Sequence, residues 1–373
     1  MIFFDSAATS FQKPPEVRHS VLRAMEQCSS PGRGAYAAAT AAAETVYDCR
    51  CEAAKLFHVE NEENIVFASN ATHALNLAIF SLVEPGDEVL ISGYEHNAVI
   101  RPLRAANARV RVLRSPLFSP EATLSLFRPA LSERTKAVVW THVSNVFGAV
   151  QPIAEIAALC REKGVPLIID ASQSAGILPL DASALGAAFI AMPGHKGLYG
   201  PQGTGLLLIS ENTVTKPLLH GGTGILSREK QMPETLPERL EAGTLPVAAI
   251  AGLAAGIRFV RKTGEKLFLH ERTLLAQTAE EMQTMRRIRP FYAPETGRQT
   301  GVLSFTVAGE ASEDVAAYLA EQGIAVRAGL HCAPTAHETA GTAETGTVRV
   351  SFSAFNTRRE CVNFLKILAK KYG

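Results

Sequence analysis

Between about Asn64 and Ser210, short runs of β-branched and aromatic residues alternate with stretches whose apolar positions recur at helical spacing. Ile65-Val66-Phe67-Ala68 leads into a helix predicted from near Ala71, and Glu88-Val89-Leu90-Ile91-Ser92 leads into one near His96. Ala137-Val138-Val139-Trp140-Thr141-His142 precedes a helix predicted from Ile153 to Lys163, after which Leu167-Ile168-Ile169 forms the next strand. The strand runs are continuously apolar instead of alternating, which marks strands covered on both faces. Strand and helix in regular succession therefore predict an α/β fold with a mostly parallel sheet flanked by helices. Such sheets bind ligands outside the carboxyl ends of their strands.

After about Pro246 the pattern changes. A small-residue helix, Val247 to Phe259, leads to a charged one, Glu265 to Arg287, and a smaller α+β pattern then runs from Thr300 onward. Its expected strands are Val302 to Val307, Ala325 to Arg327 and Val348 to Phe352, and its helices Ser312 to Glu321 and Arg358 to Lys370. The expected division is a large domain over residues 15–245 and a small α+β domain made of residues 1–14 and 246–373. Cys332 to Thr347 has no hydrophobic period and is rich in Gly and Thr, so a mobile loop is expected there.

A chain of 373 residues exceeds one comfortable core and suits two domains that share a cleft. The formal net charge of +1, with no long run of one sign, argues against nucleic acid or an anionic membrane surface as the main partner and favours small metabolites. The start, Met1-Ile2-Phe3-Phe4-Asp5, lacks the basic and apolar regions of a secretory signal, and no apolar run reaches bilayer-spanning length. Six cysteines are too few for a disulfide framework at this length, so a reduced, cytoplasmic protein is expected.

The chemistry begins with Gly194-His195-Lys196-Gly197, a lysine in a glycine-rich turn after an apolar strand. It follows the strand-end acid Asp170 by about one βα unit. An amine and a carboxylate so placed suit pyridoxal 5'-phosphate: Lys196 as the Schiff-base amine, Asp170 as the group that keeps the pyridine nitrogen protonated. Asn70-Ala71-Thr72-His73 stands at a helix start, where free N–H groups and the dipole suit a phosphate; Ala71, Thr72 and His73 are expected to bind it, Thr72 foremost. His96 opens the helix after a strand, where an imidazole stacks on a flat ring and relays protons. The amides of Asn145 and Gln173 are expected to reach the substrate carboxylate and the ring oxygen. His331, Cys332 and His337 lack a fourth ligand at metal-binding spacing, so no metal is expected.

Taken together, these residues resemble the class V aminotransferase group of fold-type I pyridoxal phosphate enzymes, and more narrowly the cysteine desulfurases and selenocysteine lyases. The resemblance runs through Asp5-Ser6-Ala7-Ala8-Thr9, Arg33-Gly34, Asn70-Ala71-Thr72, Glu95-His96-Asn97, His142-Val143-Ser144-Asn145, Asp170-Ala171-Ser172-Gln173, Gly194-His195-Lys196, Glu241-Ala242-Gly243-Thr244, Arg327 to Ala333 and Arg349-Val350-Ser351-Phe352. It implies a seven-stranded large-domain sheet and a cofactor held by Thr72, His96, Asp170, Gln173, His195 and Lys196. Thr244 then reaches the cofactor phosphate of a neighbouring subunit, making a homodimer with shared active sites. Arg349 clamps the substrate carboxylate, Arg327 lends positive charge, and Cys332 takes sulfur from L-cysteine (or selenium from L-selenocysteine) for a sulfur-acceptor protein, with His331 available to remove the thiol proton. Other reactions open to the group are transamination and β-elimination, and a noncatalytic scaffold is the reading from another class. Pro193 replaces a serine common in relatives, Ala71 a threonine and Leu330 a histidine.

Overall fold

The computed structural model describes residues 1–32 and 34–373; Arg33, from the resembling Arg33-Gly34 segment, lies outside the described residues. The chain opens with β1 (Ile2–Phe3). Seven strands then build one sheet: β2 (Ile65–Ala68), β3 (Glu88–Ser92), β4 (Arg109–Leu113), β5 (Thr135–Thr141), β6 (Leu167–Asp170), β7 (Phe189–Pro193) and β8 (Gly205–Ile209). Their order is β2-β8-β7-β6-β5-β3-β4. Only β8 runs against the others, pairing antiparallel with both β7 and β2. The chain steps outward from β3 to β4, then returns to lay β5 on the other side of β3. That reversal opens the crevice in which α/β sheets hold ligands.

The period-two geometry of each strand divides its apolar residues between two cores. Ile65, Phe67, Val138, Trp140, Leu167 and Ile169 face one core, with the helices Ala37–Phe57 and Ile153–Glu162. Val66, Ala68, Val139, Ile168 and Phe189 face the other, with the helices Ala71–Leu82 and Asn97–Ala105. Strands buried on both sides need no polar face, which accounts for their unbroken apolar runs.

A four-stranded antiparallel sheet of order β12-β13-β10-β9 forms the second unit from β9 (Ile288–Pro290), β10 (Val302–Val307), β12 (Arg327–Gly329) and β13 (Thr347–Ser351). β1 returns to this unit by pairing in parallel with β11 (Ile324–Ala325), and Phe4 is buried in its core with Phe305, Phe352 and Phe364. The helix Val247–Thr263 departs from the expected division at residue 246. It packs along the helices Pro15–Gln27 and Ala37–Phe57 and places Val247, Ile250, Leu253 and Ile257 in the large core. Small residues on several of its faces let it sit between other elements, and periodicity alone does not say which ones.

The expected mobile loop after Cys332 is instead a packed segment. Pro334 starts a helix, Pro334–Ala340, that closes on left-handed Gly341. Ala333 and Ala336 lie fully buried against Tyr94, Val146 and Phe147. Two small side chains anchor the segment, too few to give a readable hydrophobic period.

Candidate active site

The carboxyl ends of five strands converge on one cleft of about 230 Å³. Asp170 ends β6, and Asn145, His96, Thr72 and Lys196 follow β5, β3, β2 and β7. Ala71, Gln173 and His195 line the same cleft, and the second unit adds Arg327, Cys332 and Arg349. His73 and Thr244 do not reach it. They border an adjacent cavity with Leu218, Leu219 and Leu240, and Thr72 alone of the expected residues faces both spaces.

Lys196 is held by its turn. Gly194 sits so close to Thr204 that a Cβ there would fall 2.1 Å from the Thr204 hydroxyl, and one on Gly197 would fall 2.4 Å from the Ala175 carbonyl. The chain's first residues brace the turn from the other side: the Ser10 N–H and hydroxyl both donate to the His195 carbonyl at 3.0 Å, and the Thr9 hydroxyl lies 3.1 Å from His195 Nδ1. Burial lowers the Lys196 amine to about 8, opposed by the attraction of Asp170 and reinforced by Arg349 and Arg327. A substantial neutral fraction near neutral pH is what a nucleophilic or basic amine requires.

Asp170 is 3 % exposed, accepts the Ser172 N–H at 2.9 Å and forms no ion pair among the described residues. A carboxylate buried in this way calls for a cationic partner. The helix Ala71–Leu82 points its N-terminus at the cleft; Asn70 caps the His73 N–H at 2.9 Å, and the Ala71 and Thr72 N–H groups have no intrahelical acceptor. His96 caps the next helix by accepting the Ala98 N–H on Nδ1 at 3.0 Å, so its neutral ring carries the proton on Nε2. Burial lowers its pKa. His195, lowered to about 4 by burial and by Lys196, is likewise neutral. Gln173 donates from its amide nitrogen to the Ala7 carbonyl at 2.9 Å, leaving its second amide hydrogen for the cleft.

Arg349 is 2 % exposed. Nη1 donates to the Asn145 carbonyl at 2.8 Å, Nη2 donates to Asp5 Oδ1 at 2.9 Å, and Nε is buried with no partner. Asn145 reaches elsewhere than expected: its Nδ2 donates to the His331 carbonyl at 2.8 Å, while its Oδ1 is buried and unpartnered. The Asn97 N–H holds the Cys332 carbonyl at 2.8 Å. His331 and Cys332 thus stay in consecutive left-handed conformations, φ 49° and 56°, with the Cys332 side chain exposed. His331 Nε2 lies 3.1 Å from both the carbonyl and the hydroxyl of Thr347, its Nδ1 is buried without a partner, and burial drives its pKa far down.

Asp5 and Glu95 are among the site residues to which sequence reasoning gave no role. Asp5 contacts two arginines of the cleft, and its signal was its place in the Asp5-Ser6-Ala7-Ala8-Thr9 segment. The fully buried Glu95, pushed up to about 8 by burial, accepts the Ser92 hydroxyl at 2.5 Å and the Thr141 N–H at 2.8 Å. It ties the turn before His96 to the end of β5.

The family model for class-V aminotransferases matches residues 2–364. A probable cysteine desulfurase of Mycolicibacterium paratuberculosis is 34% identical to this chain, covering 99% of it; the chain spans only 55% of that protein's length. A probable cysteine desulfurase of Methanothermobacter thermautotrophicus is 33% identical, with 96% of this chain and 92% of the relative covered. Among solved structures, the apo cysteine desulfurase of Thermococcus onnurineus superposes with a TM-score of 0.91 at 30% identity, covering 100% of this chain and 94% of the other. An Escherichia coli cysteine desulfurase in an S-sulfonic acid form gives 0.86 at 26%, covering 99% and 94%. These likenesses bear out both the fold and the family expected from the motifs.

Proposed function

The chain belongs to the class-V aminotransferase family, and from that premise we propose that it is a pyridoxal 5'-phosphate-dependent cysteine desulfurase that converts L-cysteine to L-alanine and carries the sulfur away on Cys332. One observation carries this reading: an exposed thiol shares a cleft with a half-buried amine, a buried strand-end carboxylate and a buried guanidinium. The naming of two relatives as probable cysteine desulfurases supports it.

The residues present fit the cofactor. Asp170, without a cationic partner, suits a protonated pyridine nitrogen, and the free N–H groups of Ala71 and Thr72 with the Thr72 hydroxyl suit a phosphate. His96 would cover the ring, and Gln173 and His195 would meet its oxygen substituents. When bound, the cofactor supplies an electron-accepting ring. The rest of the chemistry belongs to this chain. Arg349, which lines the cleft, takes the substrate carboxylate and orients the amino acid. The Lys196 amine, lowered to about 8, removes the proton from the substrate α-carbon. The Cys332 thiolate attacks the substrate sulfur, the carbon–sulfur bond breaks with its electron pair left on carbon, and a proton completes alanine. The balance is cysteine plus enzyme thiol giving alanine plus enzyme persulfide. Because Cys332 is exposed, an acceptor protein can collect the sulfur from it, and delivery to iron–sulfur cluster assembly is the route we propose.

We further propose a homodimer. Thr244 is exposed and lies away from this chain's own cleft, and the exposed Leu218, Leu219, Ile225 and Leu226 cluster in the same part of the chain. Apolar surface of that kind marks an interface. A cytoplasmic setting suits six free cysteines, and among the described residues no helix is long and apolar enough to cross a membrane.

The test is Cys332→Ala in the cofactor-loaded protein. Alanine formation from L-cysteine should fall at least 100-fold while the visible absorbance of the cofactor stays unchanged, and full turnover by this variant would remove Cys332 from the reaction.

A further inference from the structure

Asp5 contacts two arginines that line the cleft. Its Oδ1 accepts from Arg349 Nη2 at 2.9 Å and its Oδ2 lies 3.6 Å from Arg327 Nε, so a single carboxylate bridges both guanidinium groups. The backbone allows it little freedom. Asp5 forms a parallel bridge to Ser351, its carbonyl accepts the Ala8 N–H at 3.1 Å, and the neighbouring Phe4 is fully buried. Arg349 is fixed from behind by the Asn145 carbonyl, and its Nε is left buried with no partner. A buried guanidinium N–H of this kind awaits an acceptor that the chain does not provide.

The charges here are easily counted. Two arginines face the carboxylate site, and one acid lies on both, leaving a net of one positive charge. We propose that Asp5 is a positioning and specificity-determining residue that matches this site to amino acids bearing one carboxylate and an uncharged side chain. It occupies the second basic position that a dicarboxylate would otherwise use, and at contact distance it repels a second negative charge. It also holds Nη2 of Arg349, which leaves Nε as the guanidinium N–H without a partner. This proposal rests on the reading of Arg349 as the carboxylate clamp.

Calorimetric titration of the cofactor-loaded protein with propionate and with succinate tests it without relying on turnover. Wild type should bind propionate at least as tightly as succinate. In Asp5→Asn, succinate should gain at least tenfold relative to propionate, and Asp5→Glu should restore the wild-type ratio. Arg327 is half-exposed, so Arg327→Gln keeps the fold even where an Asp5 variant does not. With Asp5 then paired to Arg349 alone, Arg327→Gln should weaken both ligands at least threefold, succinate more than propionate. A succinate-to-propionate ratio within twofold of wild type in both Asp5→Asn and Arg327→Gln would overturn the role of Asp5, as would tighter succinate binding in Arg327→Gln. Arg349→Gln separates the two layers: unchanged propionate binding there sinks the clamp itself, whereas its loss alongside unmoved ratios sinks only Asp5.

Discussion

Single side chains in this protein are governed by burial that is unmatched by charge. Glu271 lies 4 % exposed beneath Gly301, and burial raises its pKa to about 8. Its folded value thus stands above the unfolded one near 4.5, so the folded chain keeps a proton that the unfolded chain releases. Its contribution to stability is complete below about pH 4.5 and is lost as pH rises through about 8. Glu271→Gln should therefore unfold like wild type at pH 5 and be more stable by about 1–3 kcal/mol at pH 8. Urea denaturation at the two pH values checks this, and an equal difference at both would refute it. Lys196 has the opposite sense. Its lowered value places the stability gain above pH 8, as the unfolded chain gives up the proton it alone still holds.

Among the elements, the turn after β7 and the helix Ala37–Phe57 carry the most consequence. The Cβ introduced by Gly197→Ala would collide with backbone, namely the Ala175 carbonyl, so the turn must shift and carry Lys196 with it. A loss of about 2 kcal/mol is expected, with cofactor loading reduced more than tenfold at unchanged secondary structure. Absorbance titration beside far-ultraviolet circular dichroism reads both. Arg50 joins its helix to the Ile65 carbonyl and to Glu241, a pair whose side chains are 7 % and 5 % exposed. Arg50→Ala strands Glu241 as a buried acid whose pKa burial already raises. About 3–5 kcal/mol should be lost in denaturant melts. Replacing both residues with apolar ones should recover most of it, because the cost lies in the unpaired charge.

For the whole molecule, the joining of chain start to chain end matters most. β1 and Phe4 complete the second unit, and the residues just after them brace the lysine turn of the first. Phe4→Ala would leave a cavity between Phe352 and Phe364, whose rings meet it edge-on at 5.2 and 5.6 Å. About 3–5 kcal/mol should be lost. Because Asp5 is the next residue, affinity for L-cysteine should weaken as well, at temperatures where the protein is still folded. A Michaelis constant unchanged in the folded variant would show that the two roles are independent. If the proposed dimer forms, sedimentation should give about twice the chain mass, and Leu219→Asp should return it to monomer.

Local physics made the large sheet readable from the chain alone. Short apolar runs bounded by turn signals mark strands buried on both sides, and Lys196, Asp170, Thr72, His96 and Asn145, each placed by the chain at or just beyond such a strand end, line one cleft. Pairing between distant segments was not readable in that way. The bridge from Asp5 to Arg349 and Arg327 spans more than 300 residues, the packing of Val247–Thr263 depends on which neighbours surround it, and the ordering of the segment after Cys332 rests on two alanines and on the carbonyls held by Asn97 and Asn145. Sequence periodicity records which face of an element is apolar. Only the assembled fold decides what that face meets and which buried charge is left to find a partner.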